Sequence, residues 1–170
     1  MQKMINDIFL ESAKTKFLYY KELGEKAIDQ LQPQQLFILP NEDGNSIAMI
    51  VQHVSGNMIS RWTDFLTTDG EKEWRKRDAE FNVVLKTKDQ VMKCWVAGWA
   101  CLFNALNQLQ PSQLLQIICI RNEPHTLIEA IHRQLAHYPY HVGQIIFYAK
   151  ILKEKEWDTL SIPRNKNIKT

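Results

Sequence analysis

The sequence predicts an all-α fold, a four-helix bundle with a long loop between helices two and three. Apolar residues recur at intervals of three and four along four long stretches, which is the period of one helix face. Prolines and capping residues stand at the ends of these stretches. With 170 residues, 45% hydrophobic and 24% charged, the chain resembles an average soluble protein and has the length of one domain. A single domain over residues 1–170 is therefore expected.

The first predicted helix covers residues 4–31. Pro33 ends it, because proline cannot continue a helix beyond its first turn. The segment that follows has a second proline and an Asp-Gly pair, and it is predicted to be a connection. The apolar face of this helix carries Ile5, Ile8, Phe9, Ala13, Phe17, Tyr20, Leu23, Ala27 and Leu31.

The second predicted helix begins at Asn45 or Ser46, either of which is a good N-cap, and ends near Thr67. Residues 67–87 are highly charged and follow neither the helical nor the strand period. They are predicted to form a long loop with room for one short helical turn, and loops of this length are often functional. The apolar face of the second helix carries Ile47, Ile50, Val51, Val54, Met58, Trp62 and Phe65.

The third predicted helix starts at a capping box formed by Thr87 and Gln90 and runs to about Leu109. Pro111 closes it. The branched apolar run over residues 114–120 fits either an extended segment or another helical turn, and the sequence leaves both readings open.

The fourth predicted helix follows a second capping box, formed by Thr126 and Glu129, and runs to about Lys153. Pro139 lies inside it and predicts a kink, because it removes one backbone hydrogen bond. The tail over residues 156–170 loses the helical period. It is predicted to pack as an irregular strap through Trp157, Leu160 and Ile162.

Charge and cysteine usage exclude several classes of protein. The net charge is only +2 and the basic residues are scattered, so nucleic acid is not an expected partner. The three cysteines lack CxxC spacing and lie in apolar stretches, as is typical of a reducing compartment. The N-terminus does not resemble a signal peptide, and no apolar run reaches the roughly 18 residues of a membrane span. A cytoplasmic protein without a membrane partner is expected.

Three histidines form a candidate metal site. His137 and His141 are four residues apart, which places both imidazoles on one face of the fourth helix. His53 lies midway along the second helix beside apolar positions, so it can reach the same point. Three neutral imidazoles would leave at least one coordination position open on a divalent transition metal, as in catalytic sites. Imidazole suits several metals, and Zn or Ni is favoured here.

The alternative is that these histidines only form hydrogen bonds, because an i,i+4 pair often arises by chance. The other two histidines are predicted not to be ligands. His125 falls at the start of a helix, and His132 is five residues from His137 and lies off its face.

Four neighbours of the histidines are candidates for binding or support. Asn57 and Arg61 follow His53 by one and two turns, and Arg61 could hold a substrate carboxylate. Alternatively, Arg61 is a solvated cation favoured by the helix dipole. Gln144 could orient a ligand imidazole or a bound water from outside the coordination sphere, and Gly143 could allow the close approach of another helix. The alternative for both Gln144 and Gly143 is a role in packing or at the surface.

The run His137-Tyr138-Pro139-Tyr140-His141-Val142-Gly143-Gln144 resembles the HxxxHxGQ signature of the DinB/YfiT-like superfamily. His53 stands where that superfamily carries its first metal ligand. The stretches GNSIAMIVQHVSGNMISRWTDFLTTDGEKEW, RNEPHTLIEAIHRQLAHYPYHVGQI and LSIPR resemble its DUF1572 branch, so the resemblance covers nearly the whole chain. It implies an up-down-down-up bundle, a three-histidine metal site and a homodimer.

The resemblance also implies two classes of function. Some superfamily members are thiol transferases or isomerases that use a low-molecular-weight thiol, and an open metal favours the reactive thiolate. The leading hypothesis is therefore a metal-dependent thiol transferase or isomerase with a small-molecule substrate. The rivals are a non-enzymatic stress-related protein that binds a metal or ligand, and a structural bundle whose histidines bind nothing. No motif identifies the thiol.

Overall fold

Four long α-helices make up most of the chain. The computed structural model describes residues 2–82 and 84–162. Its helices are α1 (Gln2–Asp29), α2 (Ile47–Trp62), α3 (Lys88–Gln108) and α4 (Leu127–Lys153). Short 3-10 turns cover Pro33–Phe37, Arg77–Phe81, Pro111–Leu115 and Glu154–Glu156, and two strands, β1 (Ile117–Ile120) and β2 (Glu123–Thr126), form a small sheet.

The two strands correct the prediction of an all-α fold. They pair antiparallel in a hairpin whose two turn residues, Arg121 and Asn122, have φ angles of 57° and 62°. Positive φ at both positions is the type I′ turn that matches the twist of paired strands. The sequence left a helical turn and an extended segment open for residues 114–120, and each is present over part of the run. A 3-10 turn ends at Leu115, and β1 follows. Arg-Asn is a weaker hairpin signal than Asn-Gly, so the sequence did not reveal the turn.

The helix starts follow from their caps. Ser46, rather than Asn45, caps α2, and its Oγ accepts a hydrogen bond from the Met49 amide at 3.3 Å. At α4 the predicted capping box of Thr126 and Glu129 is present. At α3 the Thr87 hydroxyl accepts from the Gln90 amide, whereas the Gln90 side chain accepts from the Lys86 amide at 2.7 Å.

Helix α2 ends earlier than predicted, at Trp62 instead of near Thr67. Asp64 adopts a φ of 46°, a left-handed conformation that stops the helix and that Asp tolerates better than most residues. Phe65 is nevertheless buried, so its apolar character reflected the core and not a further helical turn.

The core lies between the four helices. Helix α2 packs mainly on α3, and α1 packs mainly on α4. The ring centroid of Tyr138 on α4 lies 5.9 Å from both Phe17 on α1 and Trp99 on α3, so one aromatic cluster joins three helices. The α2 and α3 backbones meet at Gly98, where a Cβ atom would lie 2.7 Å from the Ser55 Cα.

A buried polar chain fixes α4 against α2 beside the candidate site. The Trp62 Nε1–H donates to the Tyr138 hydroxyl at 3.1 Å, and that hydroxyl donates to Asn57 Oδ1 at 3.1 Å. Burial raises the pKa of Tyr138 well above its ordinary value, so its hydroxyl stays protonated and can donate. Helix α4 continues through Pro139 without a break.

The long loop between α2 and α3 packs closely on the helices. It contains the one short turn that was predicted, at Arg77–Phe81. Its Gly70 amide donates to the Cys119 carbonyl of β1 at 2.8 Å, and Ser60 Oγ of α2 donates to the Gly70 carbonyl at 3.1 Å. These bonds hold the loop between α2 and the hairpin.

The C-terminal tail agrees with the prediction only in part. Trp157 and Leu160 pack against the core, whereas Ile162 is 93% exposed and makes no such contact. Residues 163–170 of the predicted strap lie outside the described residues. Among the described helices, none has both the length and the apolar character needed to cross a membrane.

Two glycines test this account of the packing. Gly98→Ala should lower the free energy of unfolding by about 1–3 kcal/mol, because the new methyl group meets the Ser55 backbone. Gly143→Ala is the matched control, since no atom of residues 2–82 and 84–162 lies within 4 Å of its added Cβ. It should raise that free energy by about 0.5–1 kcal/mol, the helix-propensity difference. Urea unfolding followed by circular dichroism measures both, and equal effects at the two positions would contradict the close contact.

Candidate metal centre

The structure brings His53, His137 and His141 together. His137 and His141 lie one turn apart on α4, and their Nε2 atoms are 3.1 Å apart. The His53 ring, from α2, has its centroid 5.7 Å from that of His137 and 5.0 Å from that of His141. One ring nitrogen of each histidine lies within 4.8 Å of the other two. These three residues could therefore hold one metal ion.

A side-chain oxygen engages the other nitrogen of each ring. His53 Nδ1 lies 2.9 Å from Glu80 Oε2, and His141 Nδ1 lies 2.8 Å from Gln144 Oε1. His137 Nδ1 lies 3.3 Å from Gln134 Oε1. We assign the proton to each Nδ1 because its partner is an oxygen acceptor. The Nε2 atom of each ring then carries a free lone pair. Metal-ligating histidines have the same arrangement, in which the other ring nitrogen donates its proton to a nearby acceptor.

The donor set fits a divalent transition metal. Zn–N bonds of about 2.0–2.1 Å at a tetrahedral angle place two ligand nitrogens roughly 3.3 Å apart, close to the separation of the two Nε2 atoms on α4. Burial, together with electrostatic interaction with the neighbouring His141 and His53 rings, lowers the pKa of His137 to about 3. Burial also lowers the pKa of His141. Both rings are thus neutral near pH 7, the form that binds metals.

Glu80 holds His53 in place and is itself held on several sides. Arg75 donates two hydrogen bonds to the Glu80 carboxylate, from Nε at 2.7 Å and from Nη2 at 2.9 Å. Burial opposes the charge on Glu80, but the hydrogen bonds from His53 and Arg75 prevail and lower its pKa. A Cβ atom at Gly56 would clash with this carboxylate, so the glycine permits its approach to α2. Phe81 stacks on the His53 ring with centroids 4.9 Å apart.

Sequence reasoning missed four of these supporting residues. Glu80, Arg75 and Phe81 belong to the loop over residues 67–87, whose path no periodicity revealed. Gln134 could have been found, because it precedes His137 by three residues just as Gln144 follows His141 by three. It is also almost fully buried, as a supporting residue would be.

Three of the four predicted neighbours lie beside the cluster. Gln144 contacts His141 as described above, while Asn57 and Arg61 line a cavity of about 190 Å³ that His53 and His137 also line. Arg61 is only 2% exposed, so its alternative interpretation as a solvated surface cation is wrong. Among the described residues, nothing lies within 4 Å of a Cβ added at Gly143, so of its two interpretations the close approach of another helix is wrong and the surface role fits.

The remaining histidines lie elsewhere. His125 is on β2, with Nε2 3.9 Å from a Glu123 oxygen. His132 is exposed on α4 and meets the edge of Phe9, with ring centroids 5.3 Å apart. Neither belongs to the cluster that could hold a metal in the described part of the chain.

The Glu80 contact predicts an effect on metal affinity. Glu80→Ala should weaken Zn binding by about 10–100-fold, because removal of a supporting acceptor leaves the His53 ring unoriented. Glu73→Ala, a change at an exposed residue of the same loop, is the control and should leave the affinity unchanged. Competition with a fluorescent chelator measures both dissociation constants. Equal affinities in a folded Glu80→Ala variant and the wild type would refute the supporting role.

Comparison with known proteins adds one finding. Comparison with curated proteins finds no match. The model of one protein family, described as "Protein of unknown function (DUF1572)", matches residues 4–166. That range includes all three clustered histidines, their oxygen acceptors and the arginine that holds Glu80. The chain therefore belongs to the DUF1572 family.

Proposed function

We propose that the protein binds one divalent transition metal, Zn or Ni, through His53, His137 and His141. The observation that carries this proposal is that one ring nitrogen of each of the three histidines lies within 4.8 Å of the other two, and that the Nδ1 of every ring faces an oxygen acceptor. Histidines that only form hydrogen bonds in a core have no need to place three unprotonated nitrogens close together, whereas metal ligands do.

We propose further that the chain is a member of the DinB/YfiT-like superfamily with an up-down-down-up bundle. Four long helices, with histidines at the expected places on the second and fourth, support this assignment. A cytoplasmic homodimer is part of the same proposal. The three free and partly buried cysteines support the reducing compartment.

The activity we propose is group transfer or isomerisation with a low-molecular-weight thiol as co-substrate. When bound, a metal held by three imidazoles keeps a position open at which it favours the thiolate form of a thiol. Glu80, Gln134 and Gln144 keep the three imidazoles oriented. Arg61 and Asn57 line the adjoining cavity and would position the small-molecule substrate.

A second candidate is a non-enzymatic stress-related protein that binds a metal or a small ligand. The size of the cavity favours it, because about 190 Å³ lies below the roughly 300–1,000 Å³ of typical small-molecule sites. A co-substrate would therefore have to extend beyond this cavity to reach the reacting group.

Metal analysis tests the first proposal. Protein purified without a His tag should contain about one equivalent of Zn or Ni, because three histidine ligands with one open position are typical of sites of that kind. His141→Ala should lose this metal, and His132→Ala, at an exposed histidine of the same helix, should keep it. Wild-type protein that neither retains metal nor gains thermal stability when Zn or Ni is added would refute the site.

Thiol consumption separates the two candidates. Metal-loaded wild type should accelerate the loss of a low-molecular-weight thiol in the presence of a chlorinated or epoxide electrophile. His137→Ala should lose this activity, because the open metal position disappears with the metal. Rates that are identical for the wild type and this variant would favour the non-enzymatic role.

A further inference from the structure

The arginines of the described residues lie in one location. The sequence has six arginines and fifteen lysines. All five arginines of the described residues line the cavity beside the histidine cluster, and none of the lysines described does so. The guanidinium group differs from the lysine ammonium in its planar fork of donors, which matches the two oxygens of a carboxylate or phosphate. The five residues, called the arginine cluster below, are Arg61, Arg75, Arg77, Arg121 and Arg133.

Arg61 is a buried member of the arginine cluster with unsatisfied donors. Its side chain is 2% exposed, and neither Nε nor Nη1 has a hydrogen-bond partner within residues 2–82 and 84–162. Its nearest counter-charge is Glu71 Oε2, which lies 3.6 Å from Nη2. A buried cation with free donors is expensive unless a ligand completes its hydrogen bonds, so these donors point to an absent acceptor.

The carboxylates near the arginine cluster do not neutralise it. Glu71 is shared among Arg61, Arg75 and Arg121, and Glu80 is shared between Arg75 and His53. Asp78 lies 3.6 Å from Arg77, but its side chain is fully exposed. Within the described part of the chain, the five guanidinium groups thus have only three carboxylates within 4.0 Å, and no carboxylate lines the cavity itself. The cavity is therefore an electropositive concavity of the kind that attracts anions.

The cavity volume sets the size of the group that fits. An engineered cavity of about 150 Å³ admits benzene, so the 190 Å³ here holds a group of roughly six heavy atoms. A phosphate, or a carboxylate with a short carbon stem, has this size. His53 and His137 line the same cavity, so an anion held by the arginine cluster would lie directly beside the proposed metal.

We propose that the arginine cluster binds a carboxylate or phosphate group of the substrate and so presents the rest of that molecule to the three-histidine site. The presentation to the metal rests on the function proposed above, whereas the binding of the anion does not. The substrate class is therefore a small organic acid or phosphate ester, and a neutral substrate would leave the arginine cluster without a role.

Titration of two simple oxyanions tests the proposal. Inorganic phosphate and acetate are titrated into metal-free and Ni-loaded protein at constant ionic strength, with binding followed by calorimetry. At least one of them should bind to both forms, and the tighter one identifies the group that the cavity prefers. No measurable binding of either anion to either form would overturn the proposal.

Two variants then locate the bound anion. Arg61→Met should weaken binding about tenfold or more, because hydrogen bonds to charged groups are among the stronger ones. Its melting temperature without ligand should not fall, because the change removes a buried cation whose Nε and Nη1 lack hydrogen-bond partners among the described residues, while Glu71 keeps its contacts with Arg75 and Arg121. Arg133→Met, at an exposed residue that also lines the cavity, should weaken binding without risk to the core. Lys93→Met is the control, since it removes the same charge from an exposed position outside the cavity.

His141→Ala separates this proposal from the metal proposal. His141 belongs to the histidine cluster but does not line the cavity. The variant should therefore lose metal and keep its affinity for the anion. Anion binding that disappears in His141→Ala and is unchanged in both arginine variants would mean that the anion binds only to the metal. That result overturns the present proposal and leaves the metal site standing.

Discussion

The hydrogen bond between His53 and Glu80 is the interaction on which the candidate site most depends. His137 and His141 come from one helix, so the geometry of α4 alone brings them together. His53 comes from α2, and its ring is oriented by a carboxylate from the loop that follows α2. The loop thus orients the third histidine, His53, beside the pair from α4. Arg75 and Gly56 matter because they let that carboxylate reach its place.

The same loop joins the metal cluster to the arginine cluster. Arg75 contacts Glu80, which holds His53, and also Glu71, which pairs with Arg61 and Arg121. Charged groups from the loop, α2 and the hairpin turn therefore share one network. Much of it is buried, where charges are costly unless they are paired. Such a network is weak evidence for stability, and its position beside three metal-competent imidazoles is better explained by ligand binding.

Much of this arrangement could be predicted from the sequence, and the rest could not, for identifiable reasons. The four helices follow from apolar periodicity, and α4 begins at the predicted Thr126 cap because a capping box is a local signal. The pairing of His137 with His141 is likewise local. The end of α2 was placed too late because Phe65 continues the apolar period, although Asp64 had already turned the backbone.

The contacts between distant segments are the part that the sequence did not reveal. Glu80 approaches His53 from 27 residues away, and nothing in the charged run around it distinguishes this carboxylate from its solvated neighbours. The hairpin was missed for a similar reason, since Arg121 and Asn122 are an uncommon pair for a type I′ turn. The burial of Arg61 also depends on how the loop covers α2. A Cβ atom added at Gly70 of the loop would lie only 2.8 Å from Arg61 Nη1.

X-ray absorption spectroscopy of the Zn-loaded protein tests the central claim most directly, because it reports the ligands around the metal itself. The account predicts three imidazole nitrogens at about 2.0–2.1 Å and at least one further light atom at the open position. In buffer free of added thiol, a sulfur ligand at about 2.3 Å, or fewer than three imidazoles, would contradict the convergence of His53, His137 and His141 on one ion.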